Sequence, residues 1–260
     1  MSASTHSPVL KHHFEDLGQQ HACERLGMWM FLATEILFFG GLFGAYTVYR
    51  IWYPHEFEFA SAHLNRTIAT VNTLFLITSS LTMTLAIRSA KLGEKGALIR
   101  NLLITAALAT AFMVMKGVEY TQDFEERYVP GALFEKEFAA ASAEIAGMSS
   151  EQVKHHQFKP ERQHWSQALA VESVERGTDP GKIQLFLCFY YIMTGIHGIH
   201  IIIGIGCILW LVWEAQRGTI PPENYSTVEV VSLYWHLVDA IWLFLMPLLY
   251  LAGAGYGGHH

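Results

Sequence analysis

Five apolar stretches dominate this chain, each long enough to cross the hydrocarbon core of a membrane. A spanning helix needs about 20 mostly apolar residues, at about 1.5 Å of rise per residue. The stretches run from roughly Leu26 to Tyr49, Thr67 to Ile87, Asn101 to Val118, Ile183 to Trp213 and Val230 to Leu251. Lipid offers no partner to bare backbone N–H and C=O groups, so stretches of this length must be α-helices. The fourth is longer than a span requires and is expected to tilt or project beyond the lipid. The predicted fold class is therefore all-α, an integral membrane bundle of five transmembrane helices. An extramembrane loop lobe is expected between the third and fourth.

Composition agrees with that solvent. The chain is 52% hydrophobic and only 15% charged, whereas soluble domains are about a quarter charged. A net charge of −6 gives no basic face for nucleic acid. Cys23, Cys188 and Cys207 form no CxxC pair. Two of them fall in apolar stretches, where a thiol behaves as a small hydrophobe. The polar first twenty residues, with Glu15 and Asp16, do not read as a cleaved signal peptide.

The expected organisation is a cytoplasmic N-terminal segment over 1–24, three spans over 25–121, a periplasmic lobe over 122–182, and two spans with a C-terminal tail over 183–260. The lobe is charged and rich in Glu, His and Ala. Phe134, Phe138 and the run Ala139 to Ile145 follow a helical pattern that Gly147 is placed to cap, and Ser150 opens a second short helix. Segments of this kind are commonly solvated elaborations without chemistry. Arg88, Lys91, Lys95 and Arg100 crowd the link between the second and third spans, while the link before it carries Glu56 and Glu58. The basic link is expected in the cytoplasm, which puts the N-terminus inside and the lobe and C-terminus outside. No repeat of fixed period is visible.

Ionisable residues inside the spans cost roughly 2.5–3.5 kcal/mol each on insertion scales, so each needs a reason. Glu35 lies ten positions beyond Arg25, about 15 Å along the helix and near mid-membrane. Burial favours its neutral acid. It is either a proton-handling group or a hydrogen-bonded structural acid that never titrates. In the fourth span His197, His200 and Gly204 share a face by helical spacing, and in the fifth His236 and Asp239 do the same. Buried acids and imidazoles pair rather than stand alone. Two histidines at i, i+3 with another histidine and an acid also suit a metal or haem iron, although packed membrane helices often use histidine simply as an interhelical hydrogen-bond partner. Gly40 and Gly44 form a small-residue packing face. Lys116 and Glu119 are expected to pair at the outer interface of the third span. Arg25 and Arg217, at cytoplasmic helix ends, either hold lipid phosphates or simply fix topology.

The motifs resemble one family. Leu26-Gly27-Met28-Trp29-Met30-Phe31-Leu32-Ala33-Thr34-Glu35 with Phe38-Phe39 looks like the helix of cytochrome c oxidase subunit III that carries an intramembrane glutamate. Glu119-Tyr120, the segment from Thr194 through His197 and His200 to Gly204, and the run from Tyr234 to Leu245 preceded by Glu229 are similar to that family's later motifs, in order. The resemblance implies the shorter, five-helix bacterial form, without the two N-terminal helices of the long form. It implies an accessory subunit of a proton-pumping haem-copper oxidase in the bacterial inner membrane, with no cofactor of its own. Haem and copper would lie in partner subunits, catalytic subunit I and subunit II. Phospholipid would fill a cleft, proton uptake into the catalytic subunit would be supported, and cytochrome c would donate electrons to the complex. Carried over, Glu35 would be the carbodiimide-reactive carboxylate and Arg25 a lipid-head-group residue. The long link before the fourth span departs from the family's short connection. Quinol oxidases and nitric-oxide-reductase operons encode related subunits, which leaves the donor open.

Two rivals stand beside this reading. A free-standing membrane metalloenzyme would need at least three of Glu35, His197, His200, His236 and Asp239 to converge about 2 Å from one metal ion. A transporter would need paired repeats and broken helices, which the sequence does not display.

Overall fold

The structure is a computed structural model, and it describes residues 14, 16–220 and 225–253. Residues 1–13 and 15 of the expected N-terminal segment, and 254–260 of the expected tail, lie outside the described residues. The described chain is all-helical: α1 (Leu17–Trp52), α2 (Pro54–Ala62), α3 (Arg66–Lys91), α4 (Lys95–Glu125), α5 (Ala132–Glu144), α6 (Ser150–Lys154), α7 (His164–Arg176), α8 (Pro180–Arg217) and α9 (Ser226–Tyr250). Five of these, α1, α3, α4, α8 and α9, are long and apolar enough to cross a membrane. Each begins before the apolar stretch that announced it, and all but α9 also run past its end. Polar residues continue such helices readily where head groups and water solvate them. Hydroxyls inside the spans bond back to their own helix, as Thr47 does to the Phe43 carbonyl (2.7 Å) and Thr78 to the Leu74 carbonyl (2.8 Å). That satisfies them without a second helix.

The chain divides into two compact units. The first comprises Met1–Gly40, Thr73–Met113 and His197–Trp242. Its helix segments are fastened near their polar ends: Lys91 to Glu229 at 2.7 Å, Lys95 to the Gln216 carbonyl at 2.7 Å, and Ser226 to Glu24 at 2.6 Å. Its closest packing falls at Gly204, where a Cβ would lie 2.7 Å from the Trp235 ring. The small-residue contact expected at Gly40 and Gly44 is not made within the described chain, since nothing lies within 4 Å of a Cβ at either position.

The second unit comprises Gly41–Asn72, Val114–Ile196 and Leu243–His260. The end of α9 is tied down here. Tyr46 donates to the Leu248 carbonyl (2.7 Å), Ser61 to that of Leu249 (2.7 Å) and Arg66 to that of Gly253 (2.5 Å). A helix leaves its last four carbonyls unpaired, so such donors are what a buried C-terminus needs. The unexpected helix α2 begins with Pro54 in its first turn, where a missing N–H costs nothing. It buries Phe57 and Phe59.

Between α4 and α8 the chain forms α5, α6 and α7 around a small core of Ala141, Ile145, Val153 and Ala170. Phe134 and Trp165 stack at 4.4 Å, and the Trp165 indole donates to the Glu126 carbonyl at 2.9 Å. Ser149 caps α6 through a capping box with Gln152. Ile145 rather than Gly147 takes the C-cap of α5, and Gly147 follows in the left-handed region at φ 83°.

Candidate functional site

The intramembrane polar residues of the first unit fall into three neighbourhoods. Glu35 on α1 places Oε2 3.1 Å from His200 Nε2 on α8. The two side chains are 19% and 16% exposed, so the pair is sheltered without being sealed. Phe39 packs edge-on against the His200 ring at 5.5 Å, and the Tyr234 hydroxyl donates to the His200 carbonyl at 2.9 Å.

His236 shares a 2.7 Å hydrogen bond between its Nδ1 and Ser80 on α3. Asp239, one turn further along α9, is buried with the Ser80 and Ser79 hydroxyls as neighbours of its carboxyl. The Trp235 indole donates to Ser79 at 3.1 Å. His236 and Asp239 therefore look onto one polar wall of α3.

His197 goes elsewhere. It is buried, stacked on Trp242 at 5.4 Å and met edge-on by Phe112 at 5.9 Å. Residues three apart on a helix point about 60° apart, and here that angle sends His200 to α1 while His197 lies against α4 and α9. The shared face read from the spacing is thus divided. Among the described residues no group of three or more His, Cys, Asp or Glu side chains is placed to hold a metal ion. The convergence that a metalloenzyme reading demands is not met there.

The second unit holds a denser network. Lys116 and Glu119 pair at 2.9 Å with side chains only 6% and 2% exposed. The pair expected from the spacing forms, and the structure adds that it is buried within the protein, which the sequence could not show. Lys116 also donates to the Tyr190 hydroxyl (3.0 Å) and the Tyr250 hydroxyl (2.5 Å). Tyr250 and Tyr190 in turn donate to Glu119, at 2.6 and 3.0 Å. Asp123 Oδ2 lies 3.3 Å from the Tyr190 hydroxyl and 3.4 Å from that of Tyr191. Tyr120 and Thr194 share a 2.5 Å hydrogen bond.

Sequence reading missed Asp123 and three of the tyrosines, Tyr190, Tyr191 and Tyr250. One signal was available: Lys116, Glu119, Tyr120 and Asp123 fall at i, i+3, i+4 and i+7 on one helical stripe. The tyrosines come from α8 and α9, and no local pattern announces them. Arg217 closes α8, whereas Arg25, expected at a helix end, lies more than two turns inside α1 because that helix already begins at Leu17; both are exposed, and the Arg217 guanidinium lies 3.5 Å over the Trp213 ring.

Fold and site define a multi-pass α-helical membrane protein whose intramembrane acids are held by histidine, serine, lysine and tyrosine. The family model described as cytochrome c oxidase subunit III matches residues 12–125 and 183–254. The chain belongs to that family, and is thereby an accessory subunit of haem-copper oxidase complexes that associates with other oxidase subunits such as subunit I. It is 27% identical over 231 residues to "Cytochrome c oxidase subunit 3" of Thermostichus vulcanus, covering 87% of this chain and 86% of that protein. A Synechocystis protein of the same name is 26% identical over 226 residues, covering 86% of this chain and 74% of its own length. "Probable quinol oxidase subunit 3" of Staphylococcus haemolyticus is 33% identical over 85 residues, which cover 33% of this chain and 42% of that protein.

Proposed function

We propose that this chain is the accessory subunit III of an oxygen-reducing, proton-pumping oxidase that takes electrons from cytochrome c. The observation that carries the reading is the extent of similarity. Relatives named for cytochrome c oxidase align over 87% and 86% of the chain, whereas the quinol-oxidase relative aligns over 33%. In this reading haem and copper reside in subunits I and II, and the chain contributes no redox centre. The Glu35–His200 pair ties α1 to α8 as a hydrogen-bonded strut, and it supports proton uptake by holding that neighbourhood in shape. Arg25 and the Trp213-backed Arg217 take phospholipid phosphates, for which a planar guanidinium is suited. The complex sits in a bacterial inner membrane with the N-terminus and the α3–α4 link in the cytoplasm, and the α5–α7 segment and C-terminus in the periplasm, a reading that the basic residues of the short link support.

The test is to isolate the native complex through a tag on this chain, identify its subunits, record its haem spectrum and compare donors. Oxygen consumption sustained by reduced cytochrome c and not by a quinol supports the reading. The opposite preference makes the complex a quinol oxidase. A chain recovered alone, with a stoichiometric transition metal and its own activity, defeats both.

A further inference from the structure

Four basic residues crowd the α3–α4 link: Arg88, Lys91, Lys95 and Arg100. Two are engaged inside the chain, Lys91 by Glu229 (2.7 Å) and Lys95 by the Gln216 carbonyl (2.7 Å). Arg88 and Arg100 are exposed and make no side-chain hydrogen bond or ion pair with the described residues. Both line one cavity of about 300 Å³, at the lower end of the range of ligand pockets.

The cavity has a polar floor and an apolar wall. Ser89 and Asn101 are buried, and the Asn101 amide donates to the Ser89 hydroxyl at 3.3 Å. Leu85 and Leu92 line the same space and are exposed, carrying the wall onto the outer surface of α3. Glu94 is the one acid in the lining. Two guanidinium groups against one carboxylate leave a single excess positive charge. A phosphodiester monoanion neutralises that excess, and guanidinium groups bind phosphate oxygens in pairs with defined geometry. The site lies where two candidate spans end, the depth at which phospholipid head groups are found.

We propose that Arg88 and Arg100 hold the phosphodiester of an anionic phospholipid in this cavity. The polar part of the head group meets Ser89 and Asn101, and the first methylenes lie against Leu85 and Leu92. Neither Arg25 nor Arg217 lines this cavity, and the proposal does not depend on the electron donor. Free inorganic phosphate offers the guanidinium groups the same oxygens but gains nothing from the leucine wall.

The experiment uses the intact oxidase complex, stripped of loose lipid by detergent and exposed to a photoactivatable phosphatidylglycerol analogue. Cross-links are mapped by mass spectrometry, and retained lipid is quantified. The expected result is labelling within residues 85–101, reduced about tenfold or more in the double variant Arg88→Gln, Arg100→Gln, a factor that corresponds to about 1.4 kcal/mol. Lys159→Gln, which removes one exposed positive charge far along the chain, should change nothing. Should the double variant fail to assemble, the wild-type map decides alone, and absence of labelling in that stretch overturns the proposal. Equal labelling of wild type and an assembled double variant also overturns it. Suppression of labelling by millimolar inorganic phosphate, as complete as that by unlabelled phosphatidylglycerol, assigns the site to a free anion and sinks the lipid.

Discussion

Lys116 is accommodated inside a candidate span because Glu119 lies 2.9 Å away and the hydroxyls of Tyr190 and Tyr250 accept hydrogen bonds from its amino group. Breaking a buried pair by removing one partner typically costs about 3–5 kcal/mol, whereas replacing both by apolar groups is often near neutral. Lys116→Met should therefore lower the thermal stability of the detergent-solubilised complex by about that amount. Lys116→Met with Glu119→Leu should recover most of the loss, as a thermal-unfolding double-mutant cycle would show. Glu172 in α7 presents the opposite case. It is buried, its nearest cation is Arg176 at 3.8 Å, and burial raises its pKa against the opposing pull of Arg176 and Thr178. The folded state then holds this proton more tightly than the unfolded state. Stability is full below the ordinary carboxylate pKa and falls as pH rises from there to the raised value. Glu172→Gln should slow amide exchange in α5 and α7 at about pH 7 and leave it unchanged at about pH 4; a variant that exchanges faster at neutral pH would contradict this. At this scale the sequence exposed which polar residues lie in apolar spans. It did not expose their partners, because Glu35 with His200, and Lys116 with Tyr250, meet across 165 and 134 positions.

Among the elements, the spans were legible because a helix that is apolar all round admits few other readings. Their ends were not, since nothing local distinguishes a polar residue that continues a helix at the interface from one that begins a loop. The helix α2 was hidden by Pro54, which reads as a breaker unless it falls in a first turn. The helix α7 was hidden by its polar composition, although Gly177, at φ 69°, is the left-handed terminator it required. Close packing on a small residue falls elsewhere than the sequence suggested. A methyl at Gly40 or Gly44 would meet nothing within 4 Å, whereas one at Gly204 would meet the rigid Trp235 ring at 2.7 Å. Gly204→Ala should cost about 1–3 kcal/mol as overpacking, while Gly44→Ala should leave the thermal stability of the isolated chain in detergent unchanged. Parallel melts of the two variants in the same detergent would separate them.

For the whole molecule, the family match covers residues 12–125 and 183–254 and passes over the segment that forms α5 to α7. That segment has its own small core. Replacing residues 132–179 with a short flexible linker should leave a complex that still contains subunit I, judged by co-purification. Loss of subunit I on that replacement would make the segment part of the assembly surface. The motifs that identified the family were visible in sequence because they sit on the spans; what the inserted helices do was not, because nothing in their composition points to a partner.

The first helix carries a consequence beyond this chain. Only 11% of its apolar window is buried within the protein, against 50% for α9. Large side chains such as Trp29, Leu37 and Phe38 stand uncovered. The helix's contacts with the rest of the chain are confined to a narrow stripe that includes Leu32, Phe39 and Tyr46, and most of its surface is left open. The Glu35 carboxyl rides on that helix, so whatever packs on the open face of α1 packs on the same helix that carries this acid to His200.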